Sequence, residues 1–588
     1  MKEFFKYVFA TIVGFIISLV AIVILFVVII SVIISSVGED KKVDVSSNTV
    51  LFLNLDQTIL ERTPNSRFES LPIIGGGGEK SIGFNDLIKA LKKAKTDDNI
   101  KCVYLTVSSP NAGKATLKEI RDALVDFRKS RKQIIAYSEV YTQDAYYLAS
   151  AASKVYLNPQ GDMEFKGFSS NLTFFKGALE KLGVEVQVIR VGNFKSAVEP
   201  FINEKMSDYN RQQVTAYVSG LYNTFLEGIA QTRNIPKDSL YKWADTYKIQ
   251  KPEDALNLKM IDGLRYKDEV LNELKKLSGK KLNKDLTTIS INDYADDIKS
   301  DGGSEDKIAV IYANGDITGG EGTDQSIGSE RISRAIRKAR QDSNIKAIVL
   351  RVNSGGGSAL ASDVIWREVI LSKKVKPVIA SFGDVAASGG YYIACAADSI
   401  FVQPNTITGS IGVFGLVPNF QNLLTNKLGV TFDGVKTGQY ADIMSVNRPL
   451  TAGERFIIQG GVNRIYDTFI TRVADGRKKT KEEVNAIGGG HVWVGTDAVK
   501  NGLADRIGNF NDAIVAAGKK AKLKDYKIVE YPEKTDPFKE LLESSSDKVK
   551  TYYAKQEFGD NFMIYQQMKK ALLNSGLQTR MPFEIKVQ

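Results

Sequence analysis

Apolar positions in this chain follow three different rhythms. From Tyr7 to Gly38 a run rich in Val, Ile, Leu and Phe carries no charge. It exceeds both the ~20 residues that cross a bilayer and the ~7–15 of a cleaved signal peptide's core. The run predicts an uncleaved transmembrane helix at about residues 8–37,. No second run of that length follows. Further on, short β-branched apolar runs alternate with segments of helical spacing. IKAIVLRV (Ile345 to Val352) reads as a buried strand that runs into the glycine-rich Ser354 to Ser358, where Ser358 caps a helix through Ile370,. PVIASF from Pro377 predicts the next strand. A turn through Gly383 and Asp384, a small-residue helix from about Ala387 and the strand SIFV before Pro404 come after it. Strands alternating with helices predict an α/β architecture with parallel pairing.

The third rhythm is repetition. NIKCVYLTVSSP from Asn99 and NIKAIVLRVNSG from Asn344 stand 245 residues apart, and the same offset superposes Tyr146-Tyr147 on Tyr391-Tyr392. Tyr222 to Phe225 falls on Tyr466 to Phe469, and Asp262 on Asp505, with the order kept throughout. The expected organisation is an anchor over residues 1–45, a first module over 46–290, a polar linker over 291–305 and a second module over 306–588,. Gly75 to Gly78 is expected to be a loop, and the stretch after Tyr526 either a closing element or a tail.

Composition narrows the chemistry. Lys plus Arg number 79 against 68 Asp plus Glu, a net +11 without a dense basic block, so nucleic acid is not expected as a partner,. Lys2 and Lys6 precede the apolar run and favour a cytoplasmic N-terminus, with the bulk of the chain outside the cytoplasm,. One histidine, His491, and two cysteines, Cys102 and Cys395, exclude His-rich metal sites, zinc fingers, Fe–S clusters and a disulfide framework,. His491 reads as a loop or packing residue and both cysteines as buried thiols,. No metal, nucleotide or other cofactor is expected.

The two copies differ reciprocally. The second holds Ala387-Ser388-Gly389-Gly390-Tyr391, where the first has Gln143 opposite Ser388. The first holds Gly192-Asn193-Phe194-Lys195-Ser196-Ala197, where the second has Ala441 opposite Lys195. A serine hydroxyl needs a base before it attacks, and a neutral lysine supplies one. Lysine's reference pKa of ~10.4 leaves under ~0.1% neutral at pH 7, so such a lysine must be desolvated and kept from carboxylates. Gly389 and, after the strand, Gly356 offer backbone N–H groups to an oxyanion,.

These residues resemble the signal peptide peptidase A (protease IV) family in its long, duplicated, membrane-anchored bacterial form. The resemblance rests on RVNSGGGS (Arg351 to Ser358), AASGGYY (Ala386 to Tyr392), TGSIGVFG (Thr408 to Gly415) and GNFKSAVEPF (Gly192 to Phe201), besides the anchor and the duplication. It implies Ser388 as nucleophile, Lys195 as base and Ser410 as the residue that orients the lysine. It also implies two tandem crotonase/Clp-protease-like α/β spirals behind one transmembrane helix, assembled as tetramers in the bacterial inner membrane with the bulk periplasmic. Implied substrates are spent signal peptides and other unfolded apolar peptides. One departure is Gly355, where the family commonly has proline. The expectation is therefore a serine endopeptidase with a Ser-Lys dyad, independent of ATP and metal. The alternatives are a catalytically silent peptide-binding membrane scaffold and a crotonase-type acyl-CoA hydratase.

Overall fold

The computed structural model describes residues 2–37, 45–64, 81–296, 304–534 and 576–581. They divide into two units, of which the first carries a helix over Lys2–Val37. Among the described residues no helix is long and apolar enough to cross a membrane, so the transmembrane segment expected at about residues 8–37 is not shown. The side chains of residues 26–37 lie outside the described ones, which leaves only the earlier part of that apolar run to be judged.

The second unit holds both sequence repeats, and each builds a sheet of the same strand order. In the first repeat the strands lie Gly263–Leu264, Lys154–Met163, Gln133–Tyr141, Ile100–Thr106, Thr49–Asn54 and Thr288–Ser290, all parallel. In the second they lie Val492–Val494, Ile407–Gly409, Val378–Ala387, Ile345–Ser354, Lys307–Asn314 and Lys527–Tyr531, with Val492–Val494 antiparallel to its neighbour, and Ser399–Val402 and Arg506–Ile507 add two further parallel strands beside Val378–Ala387. The matching pairs Ile100–Thr106 with Ile345–Ser354 and Gln133–Tyr141 with Val378–Ala387 take the same places in the two sheets. Parallel neighbours require crossovers, which the helices Lys114–Arg128 and Ala359–Lys373 supply,. Ser358 accepts from Ala361 N at the start of the latter, as the sequence predicts. Both modules are α/β.

A third sheet joins the repeats. Its order is Ser326–Gly328, Asp316–Thr318, Gly356–Ser358, Gly576–Arg580, Phe414–Asn419 and Glu185–Arg190, so a strand of the first module ends a sheet otherwise built by the second. Two further contacts reinforce the junction. Helix Lys114–Arg128 has no side-chain cap of its own. Asp384 of the second module accepts from Ala115 N at 2.8 Å, Thr116 N at 2.9 Å and Thr116 Oγ1 at 2.7 Å, a position where a carboxylate also meets the positive helix end. Arg351, 1% exposed, is held by first-module Glu61 at 2.9 Å and Glu119 at 3.1 Å. Burial raises the Glu119 pKa despite the opposing pull of Arg351.

Several expectations need correction. No turn breaks the chain at Gly383-Asp384, because the strand runs on through Val378–Ala387. A register shift absorbs the extra residues opposite Val352 to Ser354, and Asp384 is thereby aimed at the helix it caps. The expected linker is partly structured, since Ile291–Asp296 is helical with Ile291 and Tyr294 buried. After Tyr526 the chain closes the second sheet through Lys527–Tyr531. Gly75 to Gly78 lie outside the described residues. Cys102 and Cys395 are buried free thiols, each pushed up to about 12 by burial.

Candidate active site

Ser388 stands between the strand Val378–Ala387 and the short helix Gly389–Ala394. Its φ of 56° and ψ of −117° are values that side-chain-bearing residues seldom adopt, with a cost of ~1–3 kcal/mol. The surroundings hold it there. Its N–H donates to Gly409 O at 2.8 Å, and its carbonyl accepts from Tyr392 N at 2.8 Å. Ser410 directly follows the neighbouring strand Ile407–Gly409. It also has a positive φ, of 50°, and donates its N–H to His491 O at 2.7 Å. Ser388, Ser410 and Lys195 are all 0% exposed.

Lys195 arrives from the first module and reaches both serines. Its Nζ lies 2.8 Å from Ser388 Oγ, 3.0 Å from Ser410 Oγ and 3.1 Å from Ser410 O. The Ser410 carbonyl can only accept, so one N–H points there. A second N–H suits Ser410 Oγ, and a neutral amine then turns its lone pair toward the Ser388 hydroxyl. Burial drives the Lys195 pKa well below 10.5, and among the described residues none of its hydrogen-bond partners is a carboxylate.

The lysine turn is fixed from both modules, by residues that the sequence reading missed. Gln213 donates to Phe194 O at 3.0 Å and to Ser196 Oγ at 2.9 Å, while its Oε1 accepts from Val492 N of the second module at 3.2 Å. Buried Glu199 accepts from Ser207 Oγ at 2.6 Å and Asn210 Nδ2 at 2.9 Å. On the other side Gly489 O accepts from Phe194 N at 3.1 Å. Gly490, at φ +87°, comes so close that a Cβ there would lie 2.5 Å from Lys195 N. The run Gly488-Gly489-Gly490 was the available signal for this close approach,. His491 stacks on Trp493 at 3.9 Å and packs on Phe194 at 4.3 Å, so its ring is a packing group, as expected, while its carbonyl anchors Ser410.

The glycine turn is close by. At Gly356, φ is +100°, and a Cβ would lie 2.7 Å from Gly389 N and 2.2 Å from Thr579 O. Gly356 and Gly389 are therefore adjacent, but the Gly356 N–H donates to Ser354 Oγ at 3.1 Å. In the first module Gln143, opposite Ser388 in the repeat, is tied to backbone at Lys166 and Gly167, and in the second Ala441, opposite Lys195, is exposed. Each copy thus holds one of the two groups.

The model of Peptidase family S49 matches twice, over residues 126–281 and 370–524, so that Lys195 lies in the first match and Ser388 and Ser410 in the second. The chain is similar to "Protease 4" of Salmonella typhi, 36% identical over 534 residues, which are 87% of this chain and 85% of that protein. It is 35% identical to "Protease 4" of Haemophilus influenzae, over 85% of this chain and 82% of the relative. A solved mutant ClpP1 from Listeria monocytogenes aligns with 35% of this chain and 94% of its own at 17% identity. Its TM-score of 0.24 is too low to carry a shared fold. On the strength of the two family matches and of relatives matched over most of their length, the chain belongs to peptidase family S49.

Proposed function

We propose that this S49 peptidase is a serine endopeptidase working through a Ser-Lys dyad. The observation that carries the reading is the 2.8 Å approach of a fully buried Lys195 to Ser388 Oγ without a carboxylate on the amine. Ser388 gives its proton to neutral Lys195 as Oγ attacks the peptide carbonyl. Ser410 holds the amine's other hydrogens, so the lone pair stays on line. The lysinium then protonates the leaving amine. Regenerated neutral, the amine draws a proton from the water that hydrolyses the acyl-enzyme. Gly389 N–H serves the oxyanion together with the turn Gly355 to Gly357, and Gly356 serves only by releasing Ser354 Oγ,. The dyad requires neither metal nor nucleotide.

The same reading takes each module as a crotonase/Clp-protease-like spiral, supported by the nearly all-parallel main sheets. It takes the N-terminal helix as an anchor in the bacterial inner membrane, with the modules on the periplasmic side. Support comes from the uncharged run after Lys6 and from exposed Phe9, Phe15, Ile17 and Ile22 along that helix. Substrates are then spent signal peptides and unfolded apolar peptides, and the assembly a homotetramer.

Fluorophosphonate labelling tests the chemistry, because only an activated serine reacts. Modification at Ser388 alone, located by peptide mass, is expected. Absence of labelling in folded protein would favour the silent scaffold or the acyl-CoA hydratase. The labelling rate should rise with pH along a limb centred well below 10.5, since Lys195 acts only when neutral and burial lowers its pKa,. Below that limb the lysine takes up a proton and the rate falls. A limb centred at the ordinary lysine value would remove Lys195 as the base. Gly356→Ala should lower kcat about 100-fold in a folded chain, because its Cβ would push Gly389 N by the ~1 Å that costs that much,. Wild-type kcat would separate Gly356 from the oxyanion turn.

A further inference from the structure

The turn that carries Lys195 is enclosed by a circuit of polar groups that begins and ends on the turn itself. Gln213, buried on the helix Asp208–Arg233, places its Nε2 3.0 Å from Phe194 O, 2.9 Å from Ser196 Oγ and 3.2 Å from Asn210 Oδ1. One amide therefore holds the residues on both sides of Lys195. Asn210, also buried, carries the circuit on through Nδ2, which donates to Glu199 Oε2 at 2.9 Å. The buried Glu199 carboxylate accepts from Ser207 N at 3.1 Å as well, and faces Arg190 at 4.0 Å. Arg190 closes the circuit by donating to Lys195 O at 3.3 Å. A buried polar network with its members paired in this way holds a backbone rigidly.

The other end of the Gln213 amide reaches the serines. Its Oε1 accepts from Val492 N at 3.2 Å, and Val492 stands opposite Gly409 in the second module's main sheet. Gly409 O receives the Ser388 N–H at 2.8 Å, and His491 O receives the Ser410 N–H at 2.7 Å. One side chain thus spans from the backbone around the lysine to the backbone that holds both serines. Only the docked modules supply all its partners, since Phe194, Ser196 and Asn210 belong to the first and Val492 to the second.

We infer that Gln213 is a positioning residue for the reaction, setting the distance from Lys195 Nζ to Ser388 Oγ by bonding Phe194 and Ser196 with one end of its amide and Val492 with the other. This rests on the Ser-Lys reading above. Gln213 acts only through those neighbours, so its loss leaves peptide binding intact and slows the attack by Ser388. A catalytic group misplaced by ~1 Å costs about 100-fold.

The test compares the full-length parent with Gln213→Met and Gln213→Asn. Methionine fills a similar volume without polar atoms. Asparagine keeps an amide in the circuit, and so spares the fold, but is one methylene too short to reach both Phe194 O and Val492 N. Each protein is treated with a fluorophosphonate, and the rate constant for modification of Ser388 is read separately from the fraction finally modified. The rate constant belongs to each competent molecule, whereas the fraction counts how many molecules are folded. Gln213→Met should lower the rate constant about 100-fold and Gln213→Asn about tenfold. With a fluorogenic apolar peptide, kcat per modifiable site should fall by the same factors while KM stays within about twofold of the parent. Parent rate constants with only a smaller modified fraction would make Gln213 a structural residue and overturn the inference. A rise in KM at parental kcat would overturn it too. If the parent itself were not modified at Ser388, the dyad reading would fail first, and the positioning role with it.

Discussion

Lys195→Met and Lys195→Arg should both hydrolyse peptide on the order of 10⁴-fold more slowly than the parent, comparable to Ser388→Ala. The arginine variant is the informative one. It keeps a positive charge near Ser388 but cannot deprotonate near neutral pH. The methionine variant adds a check of the opposite sign. Burial depresses the Lys195 pKa, so below the ordinary lysine range the unfolded chain takes up a proton that the folded chain refuses,. That uptake favours unfolding, and its removal should raise the urea midpoint of Lys195→Met. Activity is read with a chromogenic peptide and stability by circular dichroism. An active arginine variant would make the lysine an electrostatic anchor and not a base. A methionine variant no more stable than the parent would mean that the lysine is solvated in solution.

Arg351→Met should destabilise the folded chain by ~3–5 kcal/mol, the usual cost of stripping one partner from a buried ionic group. The guanidinium has Glu61, Glu119, Ser381 Oγ at 3.0 Å and Phe382 O at 3.1 Å around it, between the rings of Phe84 and Phe510. Its loss leaves two first-module carboxylates buried against the second module. Their repulsion acts near the end of the strand Ile345–Ser354 that leads into Gly355 to Gly357, so activity should fall with the melting temperature. Replacing all three, as Arg351→Met with Glu61→Leu and Glu119→Leu, should recover most of the stability, since no charge is then left unpaired. A single variant as stable as the parent would mean that the cluster is hydrated. A triple variant no better than the single would mean that side-chain shape, and not charge, joins the modules there.

What the sequence made legible was local or repeated. Strand Ile345–Ser354, the Ser358 cap and the SIFV strand each carry their own periodic signal, and the reciprocal loss of Ser388 and Lys195 appears because one copy can be read against the other. The structure brings those two residues, with Ser410, to hydrogen-bonding distance. Contacts between distant segments left no such trace. Nothing in the neighbourhood of Gln213 announces that it joins Phe194 to Val492, and Asp384 looks like a turn residue until the helix it caps is seen. The strand Gly576–Arg580 is short and mixed in polarity, so only its two partners identify it.

The distance along the chain between Lys195 and Ser388, 193 positions, is also an interval of time. At ~5–20 residues per second a ribosome needs roughly 10–40 s to go from one to the other. If Lys195 is the base proposed above, the nascent chain holds it throughout that interval with no serine to activate. Even after Ser388 is made, Gly490 and Val492 must follow before the lysine turn has its second wall. On the proposed dyad, a peptidase assembled in this order stays inert until synthesis has passed Val492.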